Sequence, residues 1–131
     1  MGVEQNLETV RKGYAAFGAG DMDALMALYA DDAVHIVPGN SKTSGAHKGK
    51  ENIVALYRAL FELSGGSFRV ALQDVLSDGG DRVMSIHQAH VEKDGQSYDE
   101  TEGLLFTFVD GKVAEIQDFF RDIELMDRLF S

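Results

Sequence analysis

Cysteine is absent from this amino-acid sequence, and its absence excludes several kinds of chemistry at once. Disulfide bonds, cysteine-ligated metals, iron–sulfur clusters and thiol catalysis all require cysteine. Tryptophan is also absent, and Pro38 is the only proline. Any reaction that this chain carries out therefore depends on carboxylate, imidazole or hydroxyl groups, or on water.

Basic residues are scarce, with 12 Lys and Arg against 22 Asp and Glu in 131 residues and a formal net charge of −10. A polyanion would be repelled, which excludes nucleic acid and anionic membranes as partners. No apolar run approaches the roughly 18 residues of a membrane span. The start Met1–Asn6 carries an acid where a signal peptide has basic and then apolar residues. We expect a cytoplasmic protein with one domain over residues 1–131.

Helical periodicity dominates the first half of the chain. Apolar residues three and four positions apart predict helices, and Asp21 is a suitable N-cap for the second of them. An extended run stops at Pro38, and a polar loop follows it. The predicted limits are 3–17, 22–29 and 51–63 for the helices, 33–37 for the extended run and 39–49 for the loop.

The second half changes to the two-residue alternation of strands with one buried face. The breaks at Asp94-Gly95 and Asp110-Gly111 are typical of tight turns and predict an antiparallel meander. Asp122 can cap a last helix through Phe130. The predicted strands cover 67–77, 82–93, 96–109 and 112–120. Helices first and strands afterwards indicate an α+β domain, with helices on one face of a curved antiparallel sheet that encloses a pocket.

Two carboxylates stand out from the acidic background because they lie beside apolar neighbours. The last strand places Asp118 on a face with Ala114, Ile116 and Phe120, opposite the face of Val113. Desolvation there would raise its pKa toward values useful in acid–base catalysis. Glu102 lies next to the apolar end of the preceding strand and could be a second pocket carboxylate. The alternatives are an Asp118 that caps, forms a salt bridge or lies on the solvent side because the faces are reversed, and a Glu102 at a solvated strand end.

The four histidines do not form a metal site by sequence spacing. His87 and His90 point to opposite faces of one strand and cannot share a metal without a bulge. His87 shares its face with small residues and is the better pocket candidate, although a satisfied core histidine is the alternative. His35 shares a face with Ala33 and Val37, and His47 is expected to be solvated in the polar loop.

Several segments resemble SnoaL-like members of the nuclear transport factor two-like superfamily. These are the run from Val10 to Leu25, the run from Leu28 to Val34, Pro38-Gly39 and the hairpin from Asp110 to Ile116. The resemblance implies a cone-shaped, cystatin-like α+β fold in which three or more helices close a curved sheet around a deep, mainly apolar cavity. It also implies a homodimer.

The same resemblance limits the reactions that this chain is expected to catalyse. Polyketide cyclases of the superfamily use an Asp late on the last strand, which Asp118 matches, but Leu104 stands where they carry a His and Glu102 occupies a nearby Gln position. The epoxide hydrolases also match at Asp118, whereas their Arg-x-Asp falls on the segment 87–89, His-Gln-Ala. Ketosteroid isomerase residues fall on Gly13, Val37 and Leu104, which disfavours that activity.

Two hypotheses of different classes follow. The first is an enzyme of cyclase or hydrolase type that acts on a small hydrophobic molecule without metal or cofactor. Asp118 would be its general acid or base, and Glu102, His35 and His87 would orient groups or relay protons. The second is a non-catalytic dimeric binder of a similar molecule. In both, the residues that shape the cavity are Tyr14, Phe17, Tyr57, Leu104, Phe106 and Phe120.

Overall fold

The computed structural model describes residues 2–131. The predicted domain and the amino-terminal segment both begin at Met1, which lies outside the described residues. The elements follow the expected order of a helical first half and a strand-rich second half, except that two strands precede the third helix. They are α1 (Val3–Gly18), α2 (Met22–Met26), β1 (Tyr29–Val37), β2 (Gly45–Lys48), α3 (Lys50–Leu63), β3 (Arg69–Ser77), β4 (Arg82–Lys93), β5 (Gln96–Val109), β6 (Lys112–Phe120) and α4 (Ile123–Leu129). The predicted α+β class is confirmed.

One six-stranded sheet has the order β2-β1-β6-β5-β4-β3. The meander from β3 to β6 is antiparallel, as predicted. Asp94 and Asp110 adopt left-handed φ angles of 54° and 51° and are each followed by a glycine, which is the conformation that tight hairpin turns require. β1 pairs with β6 in parallel, so the sheet is mixed rather than wholly antiparallel.

The segment from Tyr29 to Lys48 departs from the sequence prediction. Helix α2 ends at Met26, not at Tyr29, and the extended run begins at Tyr29 rather than Ala33. The Val113 N–H donates to the Leu28 carbonyl at 3.0 Å, and Tyr29 pairs with Val113 on β6. Pairing with the sheet has therefore overridden the helical periodicity of this segment. The predicted polar loop likewise contains a strand, β2, which pairs with β1.

The core lies between the helices and one face of the sheet. Val10 of α1 and Ile53 of α3 are almost completely buried, as are Val83 and Ile116 of the sheet. Burying an aliphatic side chain of this size contributes about 1.5–3 kcal/mol to folding. A smaller cluster forms beneath α4, where the Asp122 side chain caps the helix by accepting from the Leu125 N–H. Within residues 2–131, none of the helices has the length and apolar character needed to cross a bilayer.

An irregularity in the β5–β6 pairing changes which residues of β6 face the core. Phe108 pairs with Val113 and Thr107 with Glu115, which leaves Ala114 as the extra residue of a bulge. Val113 is consequently buried on the core side, and its predicted place opposite Ile116 is wrong. Beyond the bulge the alternation resumes, and Asp118 pairs with Leu104 and Phe120 with Glu102 on the inner face.

Candidate functional site

A cavity of about 100 Å³ lies between the helices and the inner face of the sheet. Its size is comparable with that of an engineered apolar cavity of about 150 Å³ that admits a benzene molecule. Apolar side chains supply most of the wall. The six residues predicted to shape a cavity all line it, and they are Tyr14, Phe17, Tyr57, Leu104, Phe106 and Phe120.

Asp118 lines this cavity and is held by a histidine from the neighbouring strand. The parallel pairing of β1 with β6 sets His35 opposite Ile116, two residues before Asp118. His35 Nε2 and Asp118 Oδ1 are 2.8 Å apart, and the two side chains are only 7% and 12% exposed. Two of the candidate catalytic residues, Asp118 and His35, are therefore within hydrogen-bonding distance of each other at the cavity.

Two tyrosine hydroxyls continue from His35 into the core. Tyr57 Oη lies 2.8 Å from His35 Nδ1 and 2.7 Å from Tyr29 Oη. When His35 donates its Nε2 proton to Asp118, Nδ1 accepts from Tyr57, and Tyr57 can accept from Tyr29. Burial raises the pKa of both tyrosines well above the usual value, so both remain proton donors at neutral pH. We call Asp118, His35, Tyr57 and Tyr29 the Asp118 array.

A second chain of the same residue types lies on the adjacent strands. His87 of β4 and Glu102 of β5 are cross-strand partners, with Nε2 and Oε1 3.3 Å apart. His87 Nδ1 is hydrogen-bonded to the Tyr14 hydroxyl, which lies 2.7 Å from Ser85 Oγ. We call Glu102, His87, Tyr14 and Ser85 the Glu102 array.

Glu102 occupies a poorly solvated position. Burial raises the pKa of its carboxyl group, the hydrogen bond from His87 opposes that rise, and the negative charge of Asp118 adds to it. Burial likewise raises the pKa of Tyr14. The second carboxylate oxygen, Oε2, is buried and has no hydrogen-bond partner within residues 2–131.

The other two histidines lie outside the cavity. His90 faces the opposite side of β4 from His87, as predicted, and hydrogen bonds with Glu92 and Asp99 raise its pKa. The expectation that His47 is solvated in a loop is wrong, because it belongs to β2, is partly buried and bonds the Thr43 carbonyl through Nε2. In the described part of the chain, no group of three or more His, Asp or Glu residues is arranged to hold a metal ion.

The sequence interpretation missed the hydrogen bonds that link tyrosines to histidines. The sequence pattern places Tyr14 and Tyr57 only in the cavity wall and Tyr29 in a helix, and it does not single out Ser85. A usable signal was present, because a buried tyrosine hydroxyl usually finds a partner and each of these tyrosines occupies an otherwise apolar pattern. The partner itself depends on contacts between distant segments, which the spacing does not reveal.

The loop after β1 forms part of the cavity wall. Ser41 and Thr43 line the cavity, and the Lys42 N–H donates to the Phe130 carbonyl at 3.0 Å. The Asn40 N–H donates to Asp127 Oδ1 at 2.8 Å. These bonds attach the loop to α4 and to the residue that follows it.

Comparisons with known proteins agree with this architecture. The SnoaL-like domain family matches residues 10–116. The solved structure of Bal32a, from a soil-derived mobile gene cassette, is 40% identical with a TM-score of 0.91, and each chain is covered to 98%. A candidate SnoaL-like polyketide cyclase from Jannaschia sp. CCS1 is 26% identical with a TM-score of 0.80, over 98% of this chain and 93% of that one.

A protein of cystatin-like fold from Xanthomonas campestris supports the fold alone, at 23% identity and a TM-score of 0.89 over 96% of this chain and 98% of its own. The family match covers most of the chain. The chain therefore belongs to the SnoaL-like domain family.

Proposed function

We propose that this protein is an enzyme of cyclase or hydrolase type that acts on a small hydrophobic molecule, with Asp118 as general acid and base. The observation that carries the proposal is the carboxylate of Asp118 in the wall of an apolar cavity, bonded to His35 at 2.8 Å. A positioned proton acceptor of this kind accelerates proton transfer by about 100- to 10,000-fold.

The Asp118 array supports this role through orientation. His35 fixes one carboxylate oxygen, and Tyr57 and Tyr29 fix the ring of His35 through the opposite nitrogen. In a cyclisation, Asp118 would take a proton from a carbon next to a carbonyl group, the carbanion would attack a second carbonyl carbon, and the same proton would return to the new alkoxide. In a hydrolysis, Asp118 would take the proton of the attacking water and return it to the leaving oxygen.

The test is turnover by Asp118→Asn, which keeps the shape and an oxygen acceptor for His35 but cannot take up the proton. A panel of small ketones, esters and epoxides supplies the substrate. We expect the variant to lose at least about 100-fold in kcat. Asp74→Asn is the matched control, because Asp74 is exposed on β3 and away from the cavity. Unchanged turnover in Asp118→Asn would eliminate Asp118 as the acid–base group.

A second candidate function, a non-catalytic binder, is favoured by one observation. Leu104 pairs with Asp118 across the sheet, at the position where the polyketide cyclases carry a histidine. Binding of a panel compound without turnover in the wild-type protein, with the same affinity in Asp118→Asn, would support the binder over the enzyme.

The homodimer implied by the family resemblance is a further proposal, for which the outer face of the sheet offers a surface. Leu76, Met84 and Leu105 form a cross-strand row on that face, and Phe119 lies in the next row. Leu76 is 51% exposed and Phe119 48%. Light scattering should give the mass of two chains for the wild type and of one chain for Leu105→Glu. A wild-type protein with the mass of one chain would reject the dimer.

A further inference from the structure

Glu102 ends in an oxygen that the protein leaves without a partner. The residue is 7% exposed and lines the cavity, and its Oε1 is bonded to His87. Its Oε2 is buried and has no hydrogen-bond partner among residues 2–131. Buried carboxylate oxygens are seldom left unsatisfied, because the lost hydration is not replaced. Because the Glu102 side chain lines the cavity, a ligand there can supply the missing partner once the carboxylate turns Oε2 toward it.

The hydrogen-bonding properties of Glu102 indicate which chemical group can be the partner of Oε2. An ionised carboxylate oxygen only accepts hydrogen bonds, whereas a protonated one donates its O–H. A ketone only accepts and a protonated amine only donates, so each satisfies Glu102 in one protonation state. A hydroxyl group both donates and accepts from a single atom, and it satisfies Oε2 in either state.

The charge of the cavity wall limits the kinds of ligand further. Two carboxylates, Asp118 and Glu102, line the cavity, and neither lysine nor arginine is among its lining residues in the described part of the chain. A carboxylic acid ligand would therefore meet the like charge of Asp118, and that of Glu102 whenever Glu102 is ionised, without a permanent cation to pair with it. The rest of the wall is aromatic and aliphatic, which suits an uncharged ring.

We infer that the cavity selects a neutral, hydroxyl-bearing ring compound, and that Glu102 is the specificity residue that receives its hydroxyl group. The inference rests on the proposed function only in that a small hydrophobic molecule occupies the cavity. Asp118, on the neighbouring strand, remains available for the reacting atoms.

The test compares the binding of four compounds with one ring and one substituent carbon: benzyl alcohol, toluene, benzaldehyde and benzoate. Dissociation constants are measured by ligand-observed NMR titration for the wild type, Glu102→Leu, Glu102→Gln, Asp118→Asn and the exposed control Glu115→Gln. We expect the wild type to bind benzyl alcohol about 10-fold more tightly than toluene, the ratio typical of one hydrogen bond to a charged group. Benzoate should bind weakest.

The variants separate Glu102 from the other polar groups of the cavity. The ratio of toluene to benzyl alcohol dissociation constants should fall to about 1 in Glu102→Leu. It should persist in Glu102→Gln, whose amide can donate and accept, and in Asp118→Asn and Glu115→Gln. Loss of the ratio in Asp118→Asn but not in Glu102→Leu would overturn the inference, and so would benzoate binding as tightly as the alcohol or no binding of any of the four compounds.

A measurement on the wild type keeps the inference testable if Glu102→Leu fails to fold. Benzyl alcohol should shift the side-chain carboxyl ¹³C resonance of Glu102, and toluene should not. An unmoved Glu102 resonance at saturating alcohol would overturn the inference. None of these measurements requires turnover, so a failed Asp118→Asn activity test would reject the proposed reaction without affecting the binding result.

Discussion

The Asp118 array and the Glu102 array contain the same three kinds of group, a carboxylate, an imidazole and a tyrosine hydroxyl, yet their carboxylates differ. Asp118 is bonded at 2.8 Å and is 12% exposed at the cavity. Glu102 is bonded at 3.3 Å, is 6% exposed by side chain and keeps an unpartnered oxygen. We attribute the two proposed roles, proton transfer at Asp118 and ligand binding at Glu102, to this difference in exposure and hydrogen bonding.

The origin of each array explains the difference. The Asp118 array joins β6, β1 and α3, and the Nδ1 of its histidine is bonded to Tyr57, from which the chain of hydrogen bonds continues to the buried Tyr29. The Glu102 array joins β5, β4 and α1, and its carboxylate is enclosed by the sheet and the cavity wall. Substitutions in the two arrays should therefore have different effects on activity, stability and pH dependence.

The largest expected difference between the arrays concerns activity. His35→Gln should lower kcat by about 100-fold, because Asp118 loses the group that orients it for proton transfer. His87→Gln should mainly raise KM and change kcat by less than about 10-fold. Steady-state kinetics on an identified substrate provides both values. A larger loss of kcat in His87→Gln than in His35→Gln would reverse the assignment of the two arrays.

The second largest expected difference between the arrays concerns the free energy of unfolding. Tyr57→Phe removes a hydroxyl that bonds both His35 and Tyr29, which leaves two buried polar groups unsatisfied. We expect a loss of about 1–3 kcal/mol in the free energy of unfolding. Urea denaturation of the variant and the wild type measures it. A change below about 0.5 kcal/mol would mean that the hydrogen-bonded chain behind His35 contributes little.

The corresponding substitution in the Glu102 array should cost less. Tyr14→Phe leaves His87 Nδ1 without its partner, but Ser85 Oγ can still donate to the Leu104 carbonyl, at 3.5 Å. We expect a loss of about 1 kcal/mol by the same urea measurement. A loss greater than that of Tyr57→Phe would contradict the ranking of the two arrays.

The smallest expected effect is a pH dependence specific to Glu102. Its pKa is raised on folding, so the folded chain holds this proton more tightly than the unfolded chain. The free energy of unfolding of the wild type should therefore fall as the pH rises from the ordinary Glu pKa through the raised value. Glu102→Gln removes this titration, so its stability relative to wild type should increase across that window. A pH-independent difference would show that folding does not raise the pKa of Glu102.

The elements that depend on local pattern were predictable from the sequence. The four strands of the meander agree within two residues of the predicted limits, because alternation and Asp-Gly turns are local signals. The segment from Tyr29 to Lys48 was predicted only in part, because β1 extends beyond the predicted run 33–37 by pairing with the distant strand β6, and the polar composition of residues 39–49 hides β2. The bulge at Ala114 was missed because nothing in the β6 sequence interrupts the alternation.

The carboxylates and histidines of the site were predictable from the sequence, but Tyr29, Ser85 and the hydrogen bonds between the residues were not. Asp118, Glu102, His35 and His87 were singled out from their apolar or small neighbours, and all four line the cavity. Which histidine bonds which carboxylate depends on the parallel β1–β6 pairing and on the β4–β5 register. The partners of the tyrosine hydroxyls were not predictable either, because they are 22 to 73 residues away in sequence.

The proton positions on the His35 ring are the most direct test of Asp118 as a proton acceptor, and their measurement requires no substrate. A long-range ¹H–¹⁵N correlation spectrum at neutral pH distinguishes a protonated from an unprotonated ring nitrogen, and His35→Gln assigns the signals. If the Asp118 carboxylate is the acceptor ready for proton transfer, Nε2 of His35 carries a proton. An unprotonated Nε2 beside a protonated Nδ1 would mean that Asp118 is itself the donor in this pair, which would contradict the account.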